Sequence, residues 1–366
     1  MEMMSLEECC EILDSMRIPI TASNRKEGIY PYYGANGIQD HVADYIFDDE
    51  LVLLAEDGGN FGSKTRPIAY RVSGKCWVNN HAHVLKPKEG LNVDFLCYSL
   101  MFYNTEGLVN GATRQKLTQT TMRKMLIPNL SIENQLYIVN QLNKLLKIIE
   151  LRKKEIQQLD NLTKARFVEL FGDAIYNDKG WENDTVEKLC KEIYGGGTPS
   201  KSHPEYYEDG DIPWVSSKDM KTDVLTDSQI KINQLGVDNS TARMVPINSV
   251  IMVIRSGILK HTLPVAINAV PITVNQDLKV FIPNKRVLTR FLAIQFKMHE
   301  KDILSGVRAV TADNIEFNSL KQRELIVPPI ELQQEYVTFL EQIDKSKVSL
   351  YYKNRKGGFS AIIVYI

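Results

Sequence analysis

The chain has 366 residues and a formal net charge of −1, and 43% of its residues are hydrophobic. This length leaves room for two domains of ordinary size, and the composition is typical of a globular protein rather than a disordered or fibrous one. With 44 Lys and Arg against 45 Asp and Glu, the chain is no free-standing polycation. A nucleic-acid partner would therefore need basic residues clustered on one face, or supplied by another subunit.

Targeting and redox signals are weak. No apolar run approaches the roughly 20 residues of a membrane-spanning helix, and the acidic N-terminal segment does not follow the pattern of a signal peptide. We therefore predict a cytoplasmic protein without membrane contact. The cysteines show no spacing suited to zinc, and we expect reduced thiols that fill the core at Cys9, Cys10, Cys76, Cys97 and Cys190.

The first third of the chain is rich in short β-type runs. Residues 51–55, 68–72 and 76–78 are such runs, and turn-forming Gly and Asn residues lie between them. Residues 91–102 form a helical pattern. This region is therefore predicted to be a mixed α/β domain in which strands dominate.

A long helix is predicted from Ile132 to Phe171. Apolar residues recur there every seven positions, with no Pro or Gly in the stretch, and Gly172 ends the pattern. Such a helix would be about 60 Å long, which favours a coiled coil over a single helix packed along a globular core. The predicted apolar seam comprises Ile138, Leu142, Leu145, Ile149, Ile156 and Leu159.

The chain then repeats itself. Residues 185–325 restart the first pattern, with Pro213-Trp214 where Pro31-Tyr32 stood and residues 250–257 resembling 52–59. Residues 273–277 repeat 77–81 in the same order, and the segment Gly306 to Arg308 is placed like Gly111 to Arg114. Because the order is shared, the sequence predicts a duplicated unit of a domain followed by a helix.

The junction between domain and helix is also repeated. Residues 126–128 and Gln135 return as Ile326-Val327-Pro328 and Gln333. The second helix places Val337, Leu340 and Ile343 on its seam, and its pattern ends near Lys353. Residues 359–366 are apolar and β-prone, which indicates either a cut or altered end or a short terminal strand.

The predicted fold class is α+β, with two strand-rich mixed α/β domains in tandem. Each domain is followed by a long helix, and the two helices are expected to pack as an antiparallel coiled coil. The predicted boundaries are 1–128 for the first domain, 129–172 for its helix, 173–328 for the second domain, and 329–366 for a shortened second helix with an atypical tail.

A search for catalytic motifs finds none. Gly195-Gly196-Gly197-Thr198-Pro199 is not followed by the Gly-Lys-Ser/Thr of a phosphate-binding loop. Residues 327–330 lack the amide and the aromatic residue of the Asn-Pro-Pro-Tyr motif of amino-methyltransferases. His81 and His83 are expected on one face of a strand, where a polar or DNA-facing role outweighs metal binding. The sequence thus indicates neither an active site nor a metal site.

The loops are better suited to reading DNA. Asn and Gln can bind adenine, whereas Arg and Lys can bind guanine or phosphate, and Gly allows close approach of the backbone. Any one such residue is more often simply a solvated loop residue. The candidate DNA-binding residues are Asn60, Lys64, Arg66, Asn79, Asn80, His81, Asn110, Arg114, Gln115 and Lys116 in the first domain, and Thr198, Ser200, Lys201, Ser217, Lys218, Arg255, Lys260, Arg308 and Thr311 in the second.

Several of these motifs together resemble the DNA-specificity subunit of type I restriction–modification systems. The resemblance covers nearly the whole chain up to about Lys353. It is carried by residues 31–38 (PYYGANGI), 55–58 (AEDG), 77–83 (WVNNHAH), 166–173 (RFVELFGD), 196–199 (GGTP), 211–220 (DIPWVSSKDM) and 327–329 (VPP).

The resemblance implies two target-recognition domains that each read one half of an interrupted, asymmetric site on double-stranded DNA. It implies that the two helices pack antiparallel, fix the separation of the half-sites and dock the modification subunits. It also implies that restriction subunits join the complex. The chain itself would catalyse nothing and hold no cofactor, since S-adenosylmethionine, ATP and magnesium are expected on the partner subunits. The sequence departs from the family in its short second helix.

Two alternatives remain beside this interpretation. The shortened helix could leave the seam exposed, so that the chain is an inactive or self-associating helical scaffold derived from such a subunit. A self-contained methyltransferase or nuclease would require the motifs that the sequence lacks.

Overall fold

A computed structural model of the chain describes residues 2–111, 114–306, 308–309 and 313–355, with the backbone alone at 308–309, 313 and 350–355. The chain divides into two compact units. Among the described residues, the first comprises those up to Lys154 together with the backbone of 351–355, and the second comprises those of Glu155–Leu350. Within the described part of the chain, no helix combines the length and apolarity needed to cross a membrane.

The first unit begins with a short strand followed by a short helix whose N-terminus is capped by Ser5. The Ser5 side chain accepts a bond from the Glu8 N–H, and the Glu8 carboxylate accepts one from the Ser5 N–H. The strands of this unit are β1 (Met3–Ser5), β2 (Cys10–Ile12), β3 (Glu27–Gly34), β4 (Gly37–Val42), β5 (Phe47–Ala55), β6 (Ala69–Val78), β7 (Ala82–Pro87) and β8 (Leu126–Pro128), and its helices are α1 (Leu6–Cys9), α2 (Val93–Met101), α3 (Gln119–Arg123) and the start of α4 (Ile132–Phe171).

A six-stranded sheet in the order β2-β7-β5-β6-β3-β4 forms the centre of the first unit. Residues 51–55 of β5 are completely buried, because this strand is covered on both faces. One face packs against α2 through Phe95, Leu96 and Leu100, all of which lie in the same apolar core. The core therefore lies between the sheet and α2, and the loops at the ends of β5 and β7 reach the surface.

The second unit has more and shorter strands. Its first helix, α5 (Val186–Leu189), has Thr185 as its N-cap. The Thr185 hydroxyl accepts a bond from the Lys188 N–H, as the Ser5 hydroxyl does from the Glu8 N–H in α1. The strands are β9 (Asn183–Thr185), β10 (Cys190–Gly195), β11 (Ile212–Val215), β12 (Val224–Leu225), β13 (Lys231–Ile232), β14 (Val250–Val253), β15 (Val265–Asn268), β16 (Thr273–Val274), β17 (Leu278–Pro283), β18 (Arg308–Ala309), β19 (Asp313–Asn314) and β20 (Glu324–Ile326), and the helices are α5 (Val186–Leu189), α6 (Gln234–Asp238), α7 (Thr289–Met298), α8 (Glu300–Ser305), α9 (Phe317–Gln322) and α10 (Ile330–Arg355).

The strand registers confirm the duplication. Val52 pairs with Leu85 in the first unit, and Val250 pairs with Phe281 in the second. The order β10-β17-β14-β15 in the second unit repeats β2-β7-β5-β6 in the first. The two copies thus share the four strands that hold the loops described below.

The predicted matches between the two halves of the sequence hold in this register. Tyr32 pairs in parallel with Trp77, and Trp214 pairs in parallel with Thr273. The repeats Pro31-Tyr32 to Pro213-Trp214 and 77–81 to 273–277 are therefore structural equivalences.

The match proposed at the domain–helix junction is displaced by two residues. Ser5 pairs with Leu126, and Thr185 pairs with Glu324, so that residues 126–128 correspond to 324–326 and not to 326–328. In both copies the strand that enters the domain pairs antiparallel with the strand that leaves it.

The long first helix spans the 40 predicted residues, Ile132–Phe171. Gly172 ends it with φ +76°, a left-handed conformation that suits glycine, and its N–H bonds to the Val168 carbonyl at 2.8 Å. The uninterrupted apolar periodicity thus predicted this element well.

The C-terminal half of α4 packs antiparallel against α10 in the second unit. The Tyr336 hydroxyl donates to the Thr163 carbonyl at 3.0 Å, and Arg166 forms an ion pair with Glu335 at 2.6 Å. Lys347 pairs with Asp160, so residue numbers increase along α4 in the direction in which they decrease along α10. The predicted antiparallel helix pair is confirmed here.

The seam residues are buried to different extents. Val337, Leu340 and Ile343 on α10 are buried. The six on α4 are half-buried, namely Ile138, Leu142, Leu145, Ile149, Ile156 and Leu159. The structure describes α10 as far as Arg355, and the predicted atypical tail at 359–366 lies outside the described residues.

Candidate nucleic-acid interface

Three loop segments of the first unit meet at one end of β5, and we name them the junction loops: residues 56–58, 79–81 and 114–117. Backbone bonds join them, because the Glu56 N–H donates to the His81 carbonyl at 2.9 Å and the Leu117 N–H donates to the Glu56 carbonyl at 2.7 Å. The Gly58 N–H also donates to the Gln115 carbonyl at 3.0 Å. The structure thus gathers the predicted residues His81, Arg114, Gln115 and Lys116 at one place.

An ion-pair cluster lies on the surface of these junction loops. Asp57 Oδ1 lies 2.7 Å from His81 Nδ1 and 2.6 Å from Arg114 Nη2. The Arg114 side chain is 59% exposed while Asp57 is only 18% exposed. Asp57 therefore holds the exposed Arg114 and the partly exposed His81 in a fixed arrangement, and either could donate to a base edge or a phosphate.

A second, buried network lies beneath this cluster. His83 is completely buried, with Nε2 2.9 Å from the Leu117 carbonyl and Nδ1 2.6 Å from Asp14 Oδ2. Burial opposes ionisation of Asp14, but bonds from His83, from Gln119 and from a backbone N–H outweigh it and hold the pKa of Asp14 below its usual value. The predicted surface role of His83 is therefore wrong, because both its ring nitrogens are bonded inside the domain.

Glu56 extends the buried network. It pairs with Arg17 at 2.6 Å and with Lys116 at 3.0 Å. Burial again opposes ionisation, and the two cations lower the pKa of Glu56 below its usual value. Asp14, Glu56 and His83 are close enough to be considered as a metal site, but the carboxylates already have cationic partners. The network is better explained as internal ion pairing that secures the 114–117 loop.

The other candidates of the first domain differ in exposure. Asn79 is buried, accepts from the His81 N–H at 2.8 Å and donates to Gln39 at 3.1 Å, so that it shapes the loop. Asn60 is half-buried and faces the Pro67 carbonyl at 3.4 Å. The exposed ones are Lys64, Arg66, Asn80, Asn110, Gln115 and Lys116.

The second unit builds its own junction loops, which are residues 254–257, 275–277 and 313–315. The Ile254 N–H donates to the Asp277 carbonyl at 2.9 Å, and the Ile315 N–H donates to the Ile254 carbonyl at 2.9 Å. These two bonds repeat those of Glu56 and Leu117. Arg255 and Asp277 thereby take the places that Asp57 and His81 have in the first unit.

Arg255 and Asp277 form an ion pair at this position. Arg255 Nη2 lies 2.6 Å, and Nε 2.7 Å, from Asp277 Oδ1. Arg255 is about half exposed, so one edge of its guanidinium remains available for a ligand. The positions of Glu56 and His83 carry different residues here, since Ile254 replaces Glu56 and a half-buried Lys279 stands at the position of His83, with its ammonium over the ring of Phe317.

The triple-glycine segment is explained by packing. A Cβ on Gly196 would lie 1.8 Å from the Val274 carbonyl oxygen, and one on Gly197 would lie 2.2 Å from the Thr241 hydroxyl. The Gly197 carbonyl accepts a bond from Trp214 Nε1 at 2.9 Å. These glycines allow close approach of the protein's own backbone, which agrees with the absence of a phosphate-binding motif.

The remaining candidates of the second domain are mostly exposed. Thr198 donates to Gln276, and the hydroxyls of Ser200 and Ser202 are 2.7 Å apart. Ser217 is half-buried in the turn after β11, whereas Lys201, Lys218 and Lys260 are exposed. Arg308 has its backbone in β18, paired with Asn314, and Thr311 lies outside the described residues.

The carboxylates that position these side chains are not recognisable individually from the sequence. Asp57 lies inside a motif that carries the family resemblance, and Asp277 lies inside a repeat, but neither is among the predicted site residues. Asp14 and Arg17 carry no signal of this network, since the partners that join them to it, His83 and Glu56, are 69 and 39 residues away.

Comparison with known families decides what these domains are. Residues 1–161 and 178–355 match the family described as the type I restriction modification DNA specificity domain. The chain belongs to this family. The match covers both junction-loop regions, most of α4 and all of α10, so the duplicated unit is a duplicated DNA specificity domain.

Individual relatives agree. The chain is 29% identical over 328 residues to the Escherichia coli type I restriction enzyme EcoR124I/EcoR124II specificity subunit, covering 88% of this chain and 76% of that one. It is 28% identical to a putative type I specificity subunit of Haemophilus influenzae, covering 93% and 86%. The fold resembles the crystal structure of the S subunit from M. genitalium, with a TM-score of 0.59 at 12% identity over 100% and 93% of the two chains.

Proposed function

We propose that this chain is the non-catalytic DNA-recognition subunit of a type I restriction–modification complex. The observation that carries the proposal is that each of the two DNA specificity domains places an ion-paired, exposed arginine among its junction loops, on the third loop segment in the first domain and on the first loop segment in the second. Arg114 and Arg255 are these arginines. Each domain would read one half of an interrupted site through base-edge and phosphate contacts.

The two halves of that site are expected to differ in sequence. The first domain presents Asp57, His81 and Arg114 on its junction loops, and the second presents Arg255 and Asp277. Because the donors and acceptors differ at equivalent positions, the two domains favour different bases. The target is therefore asymmetric as well as interrupted.

The long helices are proposed to dock the modification subunits. Exposed apolar residues on α4 support this role, with Ile148 44%, Leu151 48% and Leu162 48% exposed. The modification subunits would supply S-adenosylmethionine, and restriction subunits would supply ATP- and magnesium-dependent functions. Those partners would also neutralise phosphate charge that a chain of net charge −1 cannot. Such a complex would work in the cytoplasm, where the chromosome is.

The test is to co-express the chain with a modification subunit from the same system in a host without adenine methylation and to map methyl-adenine genome-wide. A methylated motif with two different halves and a fixed spacer supports the proposal. A palindromic motif would mean that one domain acts twice through self-association. An unmethylated genome, with both subunits folded and present, would contradict the proposal and favour the helical scaffold.

A further inference from the structure

A buried glutamine near the start of each long helix makes the same three hydrogen bonds in both units. Gln135 is 1% exposed and Gln333 is 0% exposed. Gln135 Oε1 accepts from the Asn92 N–H at 2.8 Å, and its Nε2 donates to the carbonyls of Gly90 at 3.0 Å and Leu130 at 2.8 Å. The arrangement uses both protons of the amide and one acceptor site of its oxygen.

Gln333 repeats this arrangement in the second unit. Its Oε1 accepts from the Leu288 N–H at 3.0 Å, and its Nε2 donates to the carbonyls of Arg286 at 3.0 Å and Pro328 at 2.8 Å. Gln333 follows Gln135 by as many residues as Ile315 follows Leu117, and Leu117 and Ile315 are the equivalent ends of the junction loops. The two glutamines are therefore at equivalent positions. The glutamine is thus a feature of the duplicated unit.

Each glutamine connects two parts of its own unit. Two of the bonds, to Gly90 and Asn92 or to Arg286 and Leu288, reach the turn that leads from the sheet into the domain helix, α2 or α7. The third bond, to Leu130 or Pro328, reaches the turn that precedes the long helix, α4 or α10. Glutamate could not donate these bonds, and asparagine is shorter by one methylene group, so the position needs a glutamine.

A second contact further along each long helix reinforces the attachment. Tyr98 of α2 donates to Asn143 of α4, and Arg290 of α7 pairs with Asp344 of α10. The second contact lies about 12 Å along the axis from Gln135, and about 16 Å from Gln333, at 1.5 Å per residue. Attachment at two separated points fixes the direction of the helix on its domain as well as its position.

We propose that Gln135 and Gln333 are positioning residues that set the angle of each specificity domain on its helix, and thereby the spacer length that the complex accepts. This inference rests on the proposed function. A domain of this size extends tens of ångströms from the joint, so a rotation of about 10° would move parts roughly 20 Å away by about 3.5 Å. That displacement is close to the 3.4 Å separation of base pairs along DNA.

The experiment uses the complex of the full chain with its modification subunits. Gln135→Met and Gln333→Met keep the side-chain length and remove all three bonds. Methylation is measured on duplexes that carry the mapped half-sites at the native spacer and at spacers one base pair shorter and longer. We expect the ratio of native to altered spacer to fall by about tenfold in each variant, since three bonds at the joint are lost, with base preferences within each half-site unchanged.

Gln334→Met is the matched control, because Gln334 is the exposed neighbour of Gln333, and it should keep the wild-type ratio. Tyr98→Phe with Asn143→Ala is a second variant that weakens the same joint from its other contact, and it should shift the ratio in the same direction. It tests the inference even if a glutamine variant does not fold.

An unchanged spacer ratio in folded variants, with only a lower rate or lower stability, would overturn the inference and leave the glutamines as ordinary core residues. The proposed function fails separately, at the wild-type stage, if the unmodified chain directs no methylation to a two-part motif. The two failures are therefore distinguishable.

Discussion

Asp57 of the first specificity domain and Arg255 of the second occupy equivalent positions at the ends of their central strands, yet they carry opposite charges. Each is completed by a partner from the equivalent neighbouring loop, His81 for Asp57 at 2.7 Å and Asp277 for Arg255 at 2.6 Å. Both copies thus pair a carboxylate with a nitrogen-bearing side chain at this place, with the roles of the two positions reversed. The hydrogen bonds that join the junction loops are made by main-chain groups. The same loop backbone can therefore carry different side-chain donors in the two domains.

This reversal leads to a pair of reciprocal predictions for specificity. Asp57→Asn weakens the hold on Arg114 and His81, and Asp277→Asn weakens the hold on Arg255. Each variant should relax base discrimination in one half-site only, by about 1–3 kcal/mol, the usual value of a good base contact. Methylation of duplexes with single-base mismatches in either half measures this.

The two variants should affect different halves of the site. Asp48→Asn, at an exposed position in β5, serves as a control and should leave both halves unchanged. If Asp57→Asn and Asp277→Asn relaxed the same half, the assignment of one domain to each half-site would be wrong.

A second prediction concerns the buried network under the first junction loops. Replacing His83 with Leu leaves the Asp14 carboxylate buried without its imidazole partner, which should lower the free energy of unfolding by about 3–5 kcal/mol. His81→Leu removes only a partly exposed pair and should cost about 1 kcal/mol or less. Urea unfolding followed by tryptophan fluorescence would distinguish them.

Equal destabilisation by the two histidine substitutions would contradict this account of the network. Asp14→Asn combined with His83→Leu provides a further check. Because the double variant no longer buries an ionised Asp14 without its imidazole partner, it should be more stable than His83→Leu alone.

A third prediction is a pH dependence that originates in the second unit. His299 is buried, and neither ring nitrogen has a hydrogen-bond partner among the described residues. Burial, assisted by the nearby Arg323 charge, lowers the pKa of His299 below its usual value. The unfolded chain therefore takes up a proton near pH 6.5 that the folded chain does not.

The contribution of His299 to stability is thus fully present above pH 6.5 and is lost as the pH falls toward the lowered pKa. His299→Leu should remove this part of the pH dependence, whereas His261→Leu, at an exposed position, should keep it. Unfolding free energies measured between pH 7.5 and 5 provide the test. A slope unchanged by His299→Leu would assign the effect to other groups.

A fourth prediction separates packing from docking on the helices of the second unit. Leu340 is buried at 3%, so Leu340→Ala should cost about 2–5 kcal/mol of stability. Leu162 is exposed and lines an open groove of about 590 Å³ together with Leu159 and Lys345. Leu162→Asp should leave stability within about 0.5 kcal/mol of wild type but reduce co-purification of the modification subunit.

Lys164→Asp provides the matched control, since it places the same carboxylate at an exposed position two residues further along the helix. It should leave co-purification unchanged. Wild-type assembly of the Leu162→Asp chain would remove this groove from the docking surface.

The sequence predicts long elements with a regular apolar pattern better than it predicts short elements. The helix Ile132–Phe171 was predicted because forty residues of uninterrupted periodicity leave few alternatives. The match of residues 126–128 to 326–328 was displaced by two, because a three-residue strand carries little pattern. Its register is set by pairing with β1 or β9, in which Ser5 and Thr185 are equivalent.

The site was predictable as a type of loop and only partly as individual residues. Arg114 and Arg255 were identified because exposed arginines in glycine-containing loops are recognisable. His83 was misplaced, because its partner Asp14 lies 69 residues away and nothing local shows that a histidine on that strand faces inward. Long-range ion pairs depend on the tertiary fold, which a local pattern cannot supply.

The pairing of entry and exit strands in each domain has a consequence for how these domains can change. Because Met3–Ser5 lies beside Leu126–Pro128, and Asn183–Thr185 beside Glu324–Ile326, each domain begins and ends at a two-stranded stem next to its long helix. The rest of each domain lies, in the sequence, between the two strands of its stem. Loops within it can lengthen, shorten or be exchanged as a block while the helices keep their course, so a new target sequence can be acquired without rebuilding the assembly.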